Sequence, residues 1–361
     1  MHNVGKVGII TLPGRFNYGN RLQNYAAERI FLNLGYKSES LVLRCGPSIA
    51  AAAKDVAKKM LGKQTVKPED LMTKARLAAF DAFNKRINIR EVAGDGKSLS
   101  SIKKEYDYFS VGSDQVWNPD YIKGLEDWYF LKFADGAQRV TLSPSIGLQQ
   151  LDKRQKRMIE KGVRGLNSLS VREQRGAELI FESTGRTAQV TCDPTLAVSA
   201  QDWREVSCDA LNPKKPYIFM YLLGGVNEEV TAVLADLEER GRYEVVMLTD
   251  RQREGELDAG PAEFIALIDN AAHVITDSFH GAVFASILES PLTIVHRSGG
   301  MSMFSRLQTL ASMLGIEDKI YGNAGFSIDN ASRYDGVSAA IDCQKANLFE
   351  NLRNQINALQ E

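Results

Sequence analysis

The stretch HVITDSFHGAVFASILES, residues 273–290, places a histidine where proton chemistry is easy to arrange. HVIT is apolar enough for a buried strand, Ser278 is a natural N-cap, and Gly281 begins a helix of small apolar residues. His280 therefore falls in the first helical turn. Free backbone N–H groups and the positive end of the helix dipole gather there, a field that favours a neutral imidazole able to exchange a proton. Gly281 would let a ligand approach closely. The structural alternative is a histidine that only caps or packs, and His273, at the other end of the strand, fits that alternative better.

Charged residues recur at the carboxyl ends of other candidate strands. In SLSVREQRGAELI, Arg172 follows a strand and precedes a helix, so its rigid guanidinium could clamp a carboxylate or phosphate; a salt bridge to Glu173 or Asp193 is the alternative. In YDYFSVGSDQVWNPD, Gly112, Ser113 and Asp114 form a tight turn, and Asp114 could orient a hydroxyl, act as a base, or close an Asx-turn. Trp117 could stack on a sugar, although burial is the simpler expectation. In VHRSGGMSMFSRLQTL, Arg297 follows a strand and Arg306 opens the next helix; with the helix terminus at His280 they would make an anion pocket.

A fifth position is the loop in TLPGRFNYGNRLQNYAAERI, which has Gly14 and Gly19 but not the G-x-G-x-x-G of a dinucleotide loop. Asn20 and Gln23 have the spacing of an N-cap and N3 pair, which accounts for part of its amide content. Arg15, Asn17 and Tyr18 remain, and amides both donate and accept, so Arg15, Asn17, Tyr18 and Asn20 are expected to meet a hydroxyl-bearing acceptor or the donor's edge.

These positions need strands that end at a common cleft. VGIITL, KSESLVLR, YDYFSVGSD, RVTLSPSIG, SLSVRE and AQVTCDP alternate with helical stretches, as a parallel α/β sheet requires, with a long helical region expected over 50–90. Its lysine-rich part could also serve as a lid over an anion. The rhythm restarts at YIFMYLLGG and runs through YEVVMLTD, HVIT and PLTIV, so we expect two Rossmann-like doubly wound domains facing a central cleft. The divisions are 1–205, on the acceptor side, and 206–335, on the donor side, with a helix over 336–361 returning to the first domain. At 361 residues, 44% hydrophobic, 25% charged and formal net charge −1, the chain has no overall drive toward nucleic acid. Four scattered cysteines suggest neither a zinc site nor a disulfide framework, and no window is long and apolar enough for a membrane span. A cytoplasmic protein is expected, with peripheral attachment to the inner membrane face and homo-oligomerisation left open.

FNYGNRLQNYAAERIFLNLGY, YDYFSVGSDQVWN, LSVRE, VTCDPTLA and VITDSFHGAVFASI, in this order, resemble the polysaccharide pyruvyl transferase family. The resemblance implies a GT-B-like arrangement and transfer of the enolpyruvyl carbons of phosphoenolpyruvate to two hydroxyls of a glycan or lipid-linked sugar, forming a cyclic ketal. Phosphoenolpyruvate would be a co-substrate, with no resident cofactor or metal. By resemblance His280 is the proton shuttle and Arg172 the anion clamp. The family's N-x-G-D loop is here Asn17-Tyr18-Gly19-Asn20, lacking the carboxylate, and a lysine often present after the strand following H-G is replaced by His296 and Arg297. Two other readings fit the same architecture: a nucleotide-sugar glycosyltransferase, for which Asp250 would read the ribose, and a non-catalytic sugar-binding subunit of a polysaccharide assembly.

Overall fold

The computed structural model describes residues 4–14, 16–44, 72–249, 255–298 and 304–360. The first lobe runs β1 (Lys6–Ile10), α1 (Tyr18–Asn33), β2 (Lys37–Arg44), α2 (Lys74–Asn84), β3 (Ile89–Ala93), α3 (Gly96–Glu105), β4 (Tyr108–Val111), α4 (Glu126–Tyr129), β5 (Arg139–Thr141), α5 (Lys153–Val163), β6 (Ser170–Val171), α6 (Gln174–Thr184) and β7 (Gln189–Val190). After a 3-10 turn at Pro194–Ala197 come α7 (Ala200–Val206), β8 (Tyr217–Tyr221), α8 (Glu228–Arg240), β9 (Glu244–Leu248), α9 (Pro261–Asp269), β10 (His273–Thr276), α10 (Phe279–Leu288), β11 (Leu292–Ile294), α11 (Ser305–Leu314) and α12 (Val337–Asn357).

The first sheet has the order β3-β2-β1-β4-β5, the second β11-β10-β8-β9, and every pairing in both is parallel. Helices on both faces explain why the central strands YFSV, YIFMY and HVIT are buried throughout. A separate parallel pair, β6 and β7, carries the chain toward the lobe boundary.

One expectation needs correction. Of the helical region expected over 50–90, residues 45–71 lie outside the described residues, α2 covers Lys74–Asn84, and Ile89 already begins β3. IREVA escaped notice because β3 is an edge strand burying only Val92, so its charged Arg90 and Glu91 mask the strand signal. The final helix spans Val337–Asn357, within the expected 336–361.

The lobes share one apolar core that runs from Val7, Leu22 and Phe80 to Phe264, Val274 and Phe284. Polar contacts lock the same junction. Arg76 on α2, fully buried, pairs with Glu256 at 3.4 Å and donates to the Thr249 carbonyl in the second lobe. α12 returns to the first lobe, where the Gln355 amide accepts from Thr141 N at 2.8 Å and donates to Thr141 O at 2.9 Å, mimicking a neighbouring strand at the edge of β5.

His273 is buried at the start of β10, bonded to Thr293 at 2.8 Å, and burial followed by the charges of Lys319 and Arg240 pushes its imidazole down to about 4. A depressed folded-state value means that its contribution is complete above the ordinary histidine range and is lost as pH falls from about 6.5 toward 4. Urea unfolding at pH 7 and pH 4.5 is expected to differ by up to roughly 3 kcal/mol from this residue, and His273→Asn should remove that part of the pH dependence.

Candidate active site

Strand order locates the site. In the first sheet β1 lies between β2 and β4, and in the second β8 lies between β9 and β10, so the strand order reverses there and opens a crevice beyond the strands' carboxyl ends. The two crevices face each other across a cleft of about 360 Å³. Asn17, Asn20, Asp114, Gln115 and Tyr121 line it from the first lobe; Ser278, Phe279, His280, Arg297 and Arg306 line it from the second.

His280 sits in the first turn of α10 with one tenth of its side chain exposed. Its ring packs against the backbone of Gly19 at the start of α1, and a Cβ added to Gly19 would overlap it. Its Nε2 faces Asp193 Oδ2 at 3.6 Å, just beyond hydrogen-bond reach. Asp193 is wholly buried: Oδ1 accepts from Thr195 N at 3.0 Å and Thr195 Oγ1 at 2.7 Å, and Oδ2 accepts from Arg172 Nη1 at 2.6 Å and Ser113 Oγ at 3.3 Å. Burial alone would raise this carboxyl, but the polar contact with His280 and the charges of Arg172 and His280 outweigh it, holding it well below the usual carboxylate range. The arrangement is an imidazole backed by an ionised carboxylate.

Arg172 does not reach the cleft. Its side chain is 1% exposed, its two termini face Asp193 at 2.6 Å and Asp114 at 3.4 Å, and its guanidinium lies 4.5 Å from the Phe279 ring centre. The expected clamp is therefore a buried organiser, because two carboxylates already occupy the fork. Asp114, at φ 64°, stands between Arg172 and Asn20, whose Nδ2 donates to it at 3.2 Å. Burial opposes ionisation of Asp114, but Arg172, then His280 and Arg306, prevail and lower it. Gln23 ties the loops together, donating to Thr11 Oγ1 at 2.8 Å and accepting from Ser113 N at 3.1 Å.

Among the described residues, the arginines facing the cleft are Arg297 and Arg306. Arg297 leans on Asp277, Nε to Oδ2 at 3.4 Å, while that carboxylate also accepts from Leu223 N and Gly224 N at 2.7 Å each. Burial and the nearby Arg172 charge push Arg306 down to about 10, which leaves it cationic at neutral pH. A side pocket of about 200 Å³ adjoins this wall and shares Phe279, Arg297 and Arg306. His296 turns away, bonding Glu229 at 3.0 Å and stacking on Phe304.

Other expectations are corrected. Tyr18 is 1% exposed, its hydroxyl donating to Ala259 O at 2.8 Å and its ring stacked on Phe264, so it joins the lobes and does not meet a ligand. The N-cap of α1 is Asn17, which accepts from Asn20 N at 2.9 Å; Asn20 lies inside the helix. Ser278 occupies the N-cap of α10 without a side-chain capping bond. Gly281 faces inward, where a Cβ would overlap Thr276 Oγ1, so it serves helix–strand packing and not ligand approach. Trp117 is fully buried, which agrees with the simpler expectation. Arg15, Asp250 and the lysine-rich segment before residue 72 lie outside the described residues. Sequence reading missed Asp193, seen only as a partner for Arg172, as well as Gly19 and Tyr121. The Asp-Pro step after β7 marks a strand-end turn but says nothing of a histidine in the other lobe.

The family model described as polysaccharide pyruvyl transferase matches residues 17–295. No curated protein sequence matches the chain. Among solved structures, HepE of Anabaena, crystallised with UDP and glucose, is similar at a TM-score of 0.50 and 10% identity, with 97% of this chain and 100% of that one covered. The UDP-GlcNAc 2-epimerase of Methanocaldococcus jannaschii is similar at a TM-score of 0.50 and 12% identity, with 98% of each chain covered. At such identities the likeness shows the fold: two Rossmann-like domains in a GT-B-like arrangement.

Arg172→Ala leaves Asp193 buried without its guanidinium and is expected to cost about 3–5 kcal/mol in urea unfolding. Gly19→Ala should cost roughly 1–3 kcal/mol, and a crystal structure of that variant should show the His280 ring displaced.

Proposed function

We propose that this chain, which belongs to the polysaccharide pyruvyl transferase family, moves a pyruvyl group from phosphoenolpyruvate to two hydroxyls of a glycan or sugar precursor. The observation that carries the reading is a carboxylate-backed imidazole, His280 on Asp193, in a cleft whose same wall holds Arg297 and Arg306. Phosphoenolpyruvate combines a carboxylate and a phosphate around a carbon that accepts a proton, so it needs two cationic holds and one proton donor.

In this scheme Arg297, Arg306 and the N-terminus of α10 hold the donor's anionic groups, the part first expected of Arg172. His280 delivers a proton to the methylene carbon, leaving C2 electron-poor. One sugar hydroxyl adds to C2; a second closes the ring as the C2–O bond to phosphate breaks. Of the two hydroxyl protons, one replaces the proton given to the methylene carbon and the other leaves with phosphate. The products are a methyl-bearing cyclic ketal and inorganic phosphate. Asp114, kept ionised by its cationic neighbours, is the base for an attacking hydroxyl. Asn17 and Asn20 border the acceptor, and Asn20 holds Asp114 in place.

Calorimetric titration with phosphoenolpyruvate, UDP-sugars and GDP-sugars tests the donor: binding to phosphoenolpyruvate is expected, and heat with nucleotide sugars alone would overturn the reading. Incubation with phosphoenolpyruvate and a glycan panel should yield a pyruvylated product by mass spectrometry. His280→Ala should lower the yield at least ~100-fold with an unchanged circular dichroism spectrum; an undiminished yield removes His280 from the mechanism.

A further inference from the structure

The cleft has two unlike walls. The second lobe contributes guanidinium groups, whereas the first contributes the amides of Asn17, Asn20 and Gln115 and one aromatic ring, Tyr121. Tyr121 is 51% exposed and lines the cleft, with an apolar ring and a polar hydroxyl to offer a ligand. Among the described residues nothing stacks on the ring or bonds its hydroxyl. The turn beneath it is rigid: Tyr121 N donates to Asn118 O at 3.0 Å, the Asn118 amide donates to Gln115 Oε1 at 2.8 Å, and Trp117 Nε1 donates to Tyr129 O at 3.1 Å. A ring carried on a fixed turn is placed for a flat ligand, and with only two side-chain torsions it loses little freedom on binding.

We propose that Tyr121 is the platform for a pyranose ring of the acceptor. One face of a pyranose carries mainly C–H groups whose hydrogens are weakly positive, which suits the negative face of an aromatic ring, while the ring's hydroxyl edge suits amides that donate and accept. Tyr121 thereby determines specificity, selecting sugars with an uninterrupted C–H face. The inference rests on the pyruvyl-transfer reading for the sugar acceptor and for assigning the cationic wall to the donor.

Saturation-transfer NMR with a panel of methyl glycopyranosides, on the wild type, Tyr121→Ala and Tyr121→Phe, tests the platform, and calorimetry follows phosphoenolpyruvate separately. Binding glycosides should receive most saturation on the protons of one ring face. Tyr121→Ala should bind them about 10-fold more weakly, equivalent to ~1.4 kcal/mol; Tyr121→Phe should bind like the wild type, and phosphoenolpyruvate affinity should be equal in all three. Undiminished binding by Tyr121→Ala, saturation spread evenly over both faces, or no glycoside binding to the wild type would each overturn the platform. Failure of phosphoenolpyruvate to bind, with the glycoside results as expected, overturns the donor assignment and leaves the platform standing.

Discussion

The carboxylate of Asp193 is the constraint around which the cleft is organised. It lies in the interior of the first lobe with no solvent contact, and carrying a charge there costs several kcal/mol unless cations and donors surround it. Arg172 supplies one cation, Thr195 and Ser113 supply hydrogen bonds, and His280 approaches from the second lobe. The same guanidinium reaches Asp114, so the electrostatics of both walls pass through one buried arginine. Phe279, next to His280, covers the guanidinium face of Arg172, while His280 and Asp114 remain on the cleft wall.

Much of the fold could be read from strand ends. HVIT, YIFMY and YFSV announce buried parallel strands by unbroken apolar content, and Gly, Ser, Asp or Asn at their exits marks where the chain turns toward a helix. Because ligands meet open α/β sheets at those exits, His280, Asp114, Asn20, Arg297 and Arg306 could be assigned to one cleft before their positions were known. β3 escaped this reasoning because an edge strand satisfies different rules and carries charge on its open side.

What local pattern could not convey was direction within a packed core. Arg172 and Tyr18 stand at strand and helix ends as a ligand-binding residue would, yet each turns inward to partners distant in sequence, Asp193 and Ala259. The two glycines of the loops show the same limit. Gly281 is adjacent to the histidine and was given its ligand space, whereas Gly19, 261 positions away in the other lobe, is the residue that makes room for the imidazole. Long-range steric need leaves no local signature in a single chain.

The returning helix α12 has a mechanical consequence. The chain leaves the first lobe near Ala197 and comes back to it through α12, anchored by Gln355 on Thr141 and by Asn351 on Gln189 at 2.7 Å. The second lobe is thus an inserted body, tied to the first by two chain crossings in addition to the shared core and the Tyr18 and Arg76 contacts. Two tethers and a common core together oppose twist and slide between the lobes. Any opening of the molecule would part Gly19 and Asp193 from the imidazole together.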